Sequence, residues 1–280
     1  MEFEELRPLL LGIAYRLLGS MWDAEDVVQD AWLRWQSVDR EEVREPRAFL
    51  TTVVSRLALD QLRSARVRRE SYTGPWLPEP VATGQIGPLD TAELRDTVSF
   101  ATLHLMEQLT PPERAVFVLR EAFEFPYDQI AGIVETSVAN CRQLHRRAAT
   151  RLEEERGGRF SPSEEEHAKL LAEFLRAAGE GDLDALTGFL HEEITSWNDG
   201  GGKVRSALRP VTGRANVAAF LAGLVRRYEL GEVRPVQVNG ETGFLVDMGE
   251  RQQVVTVSMR DGLIHDLYVV ANPDKLTRVL

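Results

Sequence analysis

The sequence predicts a multidomain chain. Two all-α blocks, the second carrying a helix-turn-helix, precede an α+β domain with a curved antiparallel sheet. Three observations carry this reading. Apolar residues recur at helical spacing as far as about residue 156. Beyond about residue 190 the period shortens to two, with Asn239-Gly240 and Asp261-Gly262 as hairpin turns. Breaks at 71–92 and at Gly157-Gly158 divide the chain.

The first block spans residues 1–70. A helix starts at Trp22-Asp23, with Asp23 as its expected N-cap and Asp26 at N3. Its apolar stripe is Ala24, Val28, Ala31 and Trp35, and Asp26, Gln29, Asp30 and Leu33 share the opposite face. Pro46 opens the next helix, which runs to about Glu70 on a stripe of Phe49, Leu50, Val53, Val54, Leu57 and Leu62. Residues 71–92 hold four prolines and three glycines and read as an interdomain linker with an exposed Trp76.

The second block spans 93–156. Thr110, Pro111 and Glu113 form a capping box with proline at N1. A short helix follows in YDQIAGIV, then a turn at 135–137, then a longer helix buried along Cys141, Leu144, Ala148 and Leu152. The last domain, 163–280, begins with helices over 163–178 and 182–190. Strands are expected at 194–198, 203–211, 234–239, 244–248, 253–259 and 263–270, with one helix at 216–228. Asp199-Gly200-Gly201-Gly202-Lys203 lacks the spacing and the Ser/Thr of a phosphate loop, and reads as a glycine turn between strands.

Composition excludes several classes. No apolar run reaches the ~18 residues of a membrane span. The acidic, amphipathic N-terminus is unlike a secretory leader, and a cytoplasmic protein is expected. One cysteine, Cys141, forbids an internal disulfide and a Cys-rich zinc site. The formal net charge is −11, yet it is unevenly spread. Residues 1–45 hold eleven acids against five arginines, while 47–69 hold six arginines against Asp60 alone. Residues 142–151 hold four arginines, His145 and no acid. Two basic islands in an acidic chain are a footprint for nucleic acid. Each taken alone is equally a solvated helix end.

Three collinear stretches carry a resemblance. AEDVVQDAWLRW (24–35), PRAFLTTVVSRLALDQLR (46–63) and LTPPERAVFVLREAFEFPYDQIAGIVETSVANCRQLHRRAATRL (109–152) resemble regions two and four of extracytoplasmic-function (ECF) sigma factors of bacterial RNA polymerase. The resemblance implies core RNA polymerase (β′ clamp helices and β flap) and promoter DNA as partners, with no membrane partner, no cofactor, no metal and no catalysis. It implies a clamp-facing surface at Asp26, Asp30 and Leu33. It implies −10 contacts at Arg56, Asp60, Arg63, Arg66, Arg68 and Arg69, with Arg56 standing where many members have asparagine. It implies −35 contacts at Asn140, Arg142, Gln143, Arg146 and Arg147.

The last domain resembles the SnoaL-like cone, which makes an apolar pocket that admits a small-molecule ligand. The combination is similar to the sigma-J-like group, in which the cone acts in cis. Its marks are WLPEP (Trp76, Leu77, Pro78), NDGGGK (Asp199, Gly200, Gly201, Gly202, Lys203) and NPDKL (Asn272, Pro273, Asp274, Lys275, Leu276). Two other readings stay open. One is a ligand-sensing DNA-binding regulator, for which the acidic helix 23–36 has no use. The other is an enzyme fused to a DNA-binding module, with His191, Asp199, Asp247, His265 and Asp266 as candidates. His265 and Asp266 are adjacent on a strand, so they share a face only at a bulge.

Overall fold

The computed structural model describes residues 2–86, 97–156, 164–249 and 251–279. The expected break at Gly157-Gly158, the helix start at 161–163, and residues 87–96, including the end of the linker and the start of the second block, lie outside the described residues. Two units emerge. One is drawn from Met1–Ser71 and Gly84–Glu155, the other from Tyr72–Thr83 and Arg156–Leu280.

In the first unit, α1 (Glu2–Leu18) packs on α2 (Met21–Ser37) and α3 (Pro46–Glu70). Leu10, Ile13, Ala14, Leu17, Val28, Ala31, Trp35, Leu50, Val54 and Leu62 are buried between them. Gly19, at φ 67°, takes the left-handed conformation that ends α1. Ser20 then caps α2 by accepting from the Asp23 backbone N–H at 3.2 Å. The expected cap at Asp23 is thus corrected: Ser20 is extended and reaches that amide first, which leaves Asp23 in the first turn. Pro46 opens α3 as expected.

Helices α4 (Phe100–Met106), α5 (Pro111–Glu121), α6 (Tyr127–Val134) and α7 (Val138–Arg156) complete the unit. The Glu113 carboxylate accepts from the Thr110 N–H at 3.0 Å and from its hydroxyl at 2.8 Å, the expected start of α5. Glu135 is left-handed (φ 58°) and ends α6. Ser137 then starts α7, its Oγ accepting from the Asn140 N–H. Cys141, Leu144, Ala148 and Leu152 are buried as the stripe requires. Burial raises the Cys141 thiol above its ordinary pKa, which keeps it an inert core side chain.

In the second unit, α8 (Glu164–Glu180) and α9 (Leu183–Phe189) lead into β1 (Leu190–Asp199). Then follow β2 (Val211–Thr212), α10 (Arg214–Arg227), β3 (Leu230–Val238), β4 (Glu241–Met248), β5 (Arg251–Arg260) and β6 (Leu263–Val270). The sheet order is β2-β1-β6-β5-β4-β3. Leu171, Phe174, Leu186, Ile194, Val217, Val246, Val257, Ile264 and Leu267 form the core between helices and sheet.

Two expectations are corrected here. The sheet is mixed, not wholly antiparallel, because β1 pairs β6 in parallel. Hairpins force β3 to β6 to alternate, whereas everything between β1 and β6 supplies the long crossover that a parallel pair needs. The strand expected at 203–211 shrinks to Val211–Thr212. Both Lys203 N and Val204 N donate to Gly200 O, which turns the chain out of the sheet. The linker reading is corrected too: Tyr72–Thr83 belongs to the second unit, and Leu77, Pro78, Glu79, Pro80 and Val81 are buried in it.

Candidate functional site: helix faces and a motif hub

On α2, Asp26, Gln29, Asp30 and Leu33 are exposed, and Leu33 keeps 54% of its surface. Asp26, Asp30 and Asp60 line one groove between α2 and α3. Leu33 is thus not part of the core, and carboxylates flank it on the solvent face. On α3, Asp60 accepts from Arg63 at 3.0 Å. Arg56 donates to the Gly132 carbonyl on α6 at 2.7 Å and stands 3.8 Å from Glu135. The arginine expected at the −10 strand is therefore held by the first helix of the helix-turn-helix. Arg66 and Arg68 lie on α3, their side chains outside the described residues.

Arg69 departs from its expected phosphate role. It is inward, paired with Glu107 and donating to the Leu18 carbonyl at 2.5 Å. Arg114 pairs with the same carboxylate and donates twice to the Arg16 carbonyl. Burial alone would raise Glu107, but the Arg114 and Arg69 guanidiniums hold its carboxyl below the usual range. Burial lowers Arg69. Arg69 is a structural tie between α3 and the segment after α4, a role no linear pattern reveals.

On α7, Arg142, Gln143, Arg146 and Arg147 are exposed. Arg147 Nε lies 3.4 Å from Glu113, and Arg142 covers the Tyr127 ring at 5.6 Å. Asn140 is half-buried and donates to Thr136 Oγ1 at 2.8 Å, so it braces the turn. Forked donors along one helix suit phosphates and guanine edges.

In the second unit the three short motifs meet. Asp199 is fully buried at the end of β1. Its carboxylate accepts from Tyr72 OH at 2.6 Å, Leu77 N–H at 2.9 Å and Lys275 Nζ at 2.7 Å. Its backbone carbonyl accepts from the Ala271 and Asn272 amides. Lys275 also donates to Leu77 O at 2.5 Å and sits 4.2 Å over the Trp76 ring. Asn272 Nδ2 donates to Tyr72 OH at 2.9 Å, Lys203 pairs with Asp274, and Arg278 lies 3.3 Å from Glu79. Burial, then the bond to Asp199, raises the Tyr72 hydroxyl well above its ordinary pKa. A second clasp lies further on: Val81 N–H donates to Asn239 Oδ1 at 3.1 Å, and Ala82 bridges Val238 on β3.

Gly201 shows why the glycines are there. Its φ is 58°, and a Cβ would strike Asn272 Nδ2 and stand 2.8 Å from Tyr72 OH. The sequence motifs mark this hub, but Tyr72 and Arg278 carried no signal and Asn239 read only as a hairpin turn, because their partners lie 127, 199 and 158 residues away respectively.

Of the five candidate acid–base residues, Asp199 is consumed by the hub, and Asp247 accepts from Gln252 at 2.8 Å. His265 Nδ1 lies 3.1 Å from Asp266 Oδ2. The strand register shifts there, so the bulge those two side chains need is present. None of the five lines the cone cavity of 330 Å³. Its wall carries Arg205, Arg227 and Arg251 beside Phe220, Leu224 and Val269.

Residues 3–68 match Sigma-70 region 2, and residues 99–152 match Sigma-70, region 4. The ECF RNA polymerase sigma factor SigJ of Mycobacterium tuberculosis is 42% identical over 99% of this chain and 92% of its own. The chain belongs to the ECF RNA polymerase sigma factors. The crystal structure of the M. tuberculosis sigma factor SigJ superposes with a TM-score of 0.79 at 37% identity, covering 99% of this chain and 98% of that one. The probable sigma factor SigI of the same organism is 36% identical over 64% of this chain and 62% of its own. As a sigma factor, the chain is a transcription initiation factor, with core RNA polymerase and promoter DNA as its partners. Among the described residues no helix is long and apolar enough to cross a membrane.

Proposed function

We propose that this sigma factor is controlled in cis by its own C-terminal cone, through the hub on Asp199. That hub is the single observation carrying the reading. The segment 72–83 leaves directly from α3 and re-enters the sigma unit at Gly84. A buried aspartate and lysine hold this segment against the cone. The stretch between the exit at Ser71 and the return at Gly84 is thereby tied to the cone, which gives the cone leverage over the spacing of regions two and four. Asp26, Asp30 and Leu33 meet the β′ clamp helices, region four meets the β flap, Arg56, Asp60 and Arg63 meet −10 DNA, and Arg142, Gln143, Arg146 and Arg147 meet −35 DNA. Arg56 reaches DNA only after leaving Gly132, so promoter binding requires region four to separate from α3 in this reading.

The cone cavity supports a small anionic ligand with an apolar body. Three arginines line it without a carboxylate among the lining residues. Its volume suits a compact molecule.

The test is run-off transcription with core polymerase, comparing the intact chain with Lys275→Met and Asp199→Asn. Activity shifted at least tenfold in both, with core binding retained in pull-down, supports the reading. Unchanged transcription in both overturns it.

A further inference from the structure

Between the paired residues Leu190–Ile264 and Thr195–Asp266, β1 has His191, Glu192, Glu193 and Ile194, whereas β6 has only His265. Toward β5, in contrast, His265 is itself the extra residue, lying between the pairs Ser258–Asp266 and Met259–Ile264. This bulge brings His191, Glu193 and His265 together. One donor atom from each lies within 4.8 Å of the others, and the two imidazole centroids are 5.2 Å apart.

We propose that His191, Glu193 and His265 form a binding site for a divalent transition metal of the zinc class. Two imidazoles and a carboxylate are a borderline-soft N/O donor set, suited to a tetrahedral ion with water in the fourth position. Zinc–ligand bonds of about 2.0–2.2 Å need these donors closer together than 4.8 Å, which rotation of the exposed Glu193 and half-buried His191 provides.

The second shell is already in place. Asp266 is buried and accepts from Ser258 Oγ at 2.6 Å, with Trp197 Nε1 at 3.5 Å from its other oxygen. With its Nδ1–H donating to Asp266, His265 has the tautomer whose Nε2 carries the lone pair. The buried Asp266 also offsets the metal's charge. Two contacts oppose binding. The Glu193 N–H donates to His191 Nδ1 at 3.2 Å, and His191 gives up this long bond or changes tautomer. Arg260 lies 3.5 Å from Glu193 Oε2 and repels a cation.

The metal would clamp the two parallel strands at the end opposite the hub, since β1 runs on to Asp199 and β6 ends at Val270, two residues before Asn272. It therefore acts on stability and on the strands carrying the hub, not on a substrate.

The experiment strips the full chain with a chelator and titrates it with ZnCl₂ by calorimetry, alongside thermal unfolding. One Zn²⁺ per chain with a raised Tm is expected. His191→Ala and His265→Ala should lose this site, and Asp266→Asn should weaken it about 10-fold or more. Arg260→Gln should tighten it several-fold. His191 is half-buried, so its variant keeps the cone folded even if His265→Ala does not. Absence of stoichiometric binding overturns the proposal, as does equal affinity in folded His191→Ala.

Discussion

At the scale of single residues, Asp199 and Lys275 matter most to the cone. Both are shielded from water, so each needs the other. Asp199→Asn leaves an ammonium facing an amide, and Lys275→Met leaves a buried carboxylate with two neutral donors. Each should cost about 3–5 kcal/mol, the usual penalty for breaking a buried pair by one partner. The loss should appear as protease sensitivity at 72–83, with the cone core still intact. Gly201→Ala should act the same way through strain and collision, although it removes no charge. If 72–83 remains as resistant in these variants as in the parent chain, the hub does not hold the segment. The marks of this site, NDGGGK and NPDKL, were legible through the resemblance to the sigma-J-like group, while the residues by themselves gave only a glycine turn. The donors opposite them were not, since a tyrosine hydroxyl and a backbone amide have no sequence pattern.

At the scale of elements, Glu107 ties α3 to α5 through Arg69 and Arg114. Its folded pKa is depressed, so its stabilisation is complete above the ordinary glutamate value of about 4.3 and is lost as pH falls through the lower folded value. Glu107→Gln should therefore destabilise the sigma unit by roughly 3 kcal/mol at neutral pH. The difference from the parent should shrink in acid unfolding scans below about pH 4. A constant difference across that range would remove Glu107 titration as the cause. The helices themselves were readable: Pro46, Thr110 and Glu113 stand where they start elements. The strands were less so. Residues 203–211 alternate like a strand, but the turn at Gly200 is closed by backbone bonds that composition does not encode. The parallel β1–β6 pair was hidden for the same reason that β1's bulge was: pairing across the whole domain leaves no local trace.

At the scale of the whole molecule, charge distribution decides how the chain meets DNA. The net charge of −11 repels the duplex, while α7 exposes Arg142 and Arg146 on one face and Arg147 on the neighbouring one. Counterion release gives each phosphate contact a slope of about −0.9 in log affinity against log salt. A chain using only these faces should bind promoter fragments weakly when free and tightly when core polymerase adds its own contacts. Arg146→Ala should flatten the salt slope of the polymerase–promoter complex by about one unit if it meets a phosphate. If it instead reads a guanine edge, the slope changes less and discrimination at one −35 position falls by about 1–3 kcal/mol. Arg56→Ala gives a different signature. It removes a bond between α3 and α6 and, in the proposed reading, a −10 contact, so it should loosen the free chain yet slow promoter opening. Faster hydrogen exchange in α6 together with reduced open-complex formation would establish that one guanidinium serves both states. Altered exchange with normal opening would confine Arg56 to the packing of region four on α3.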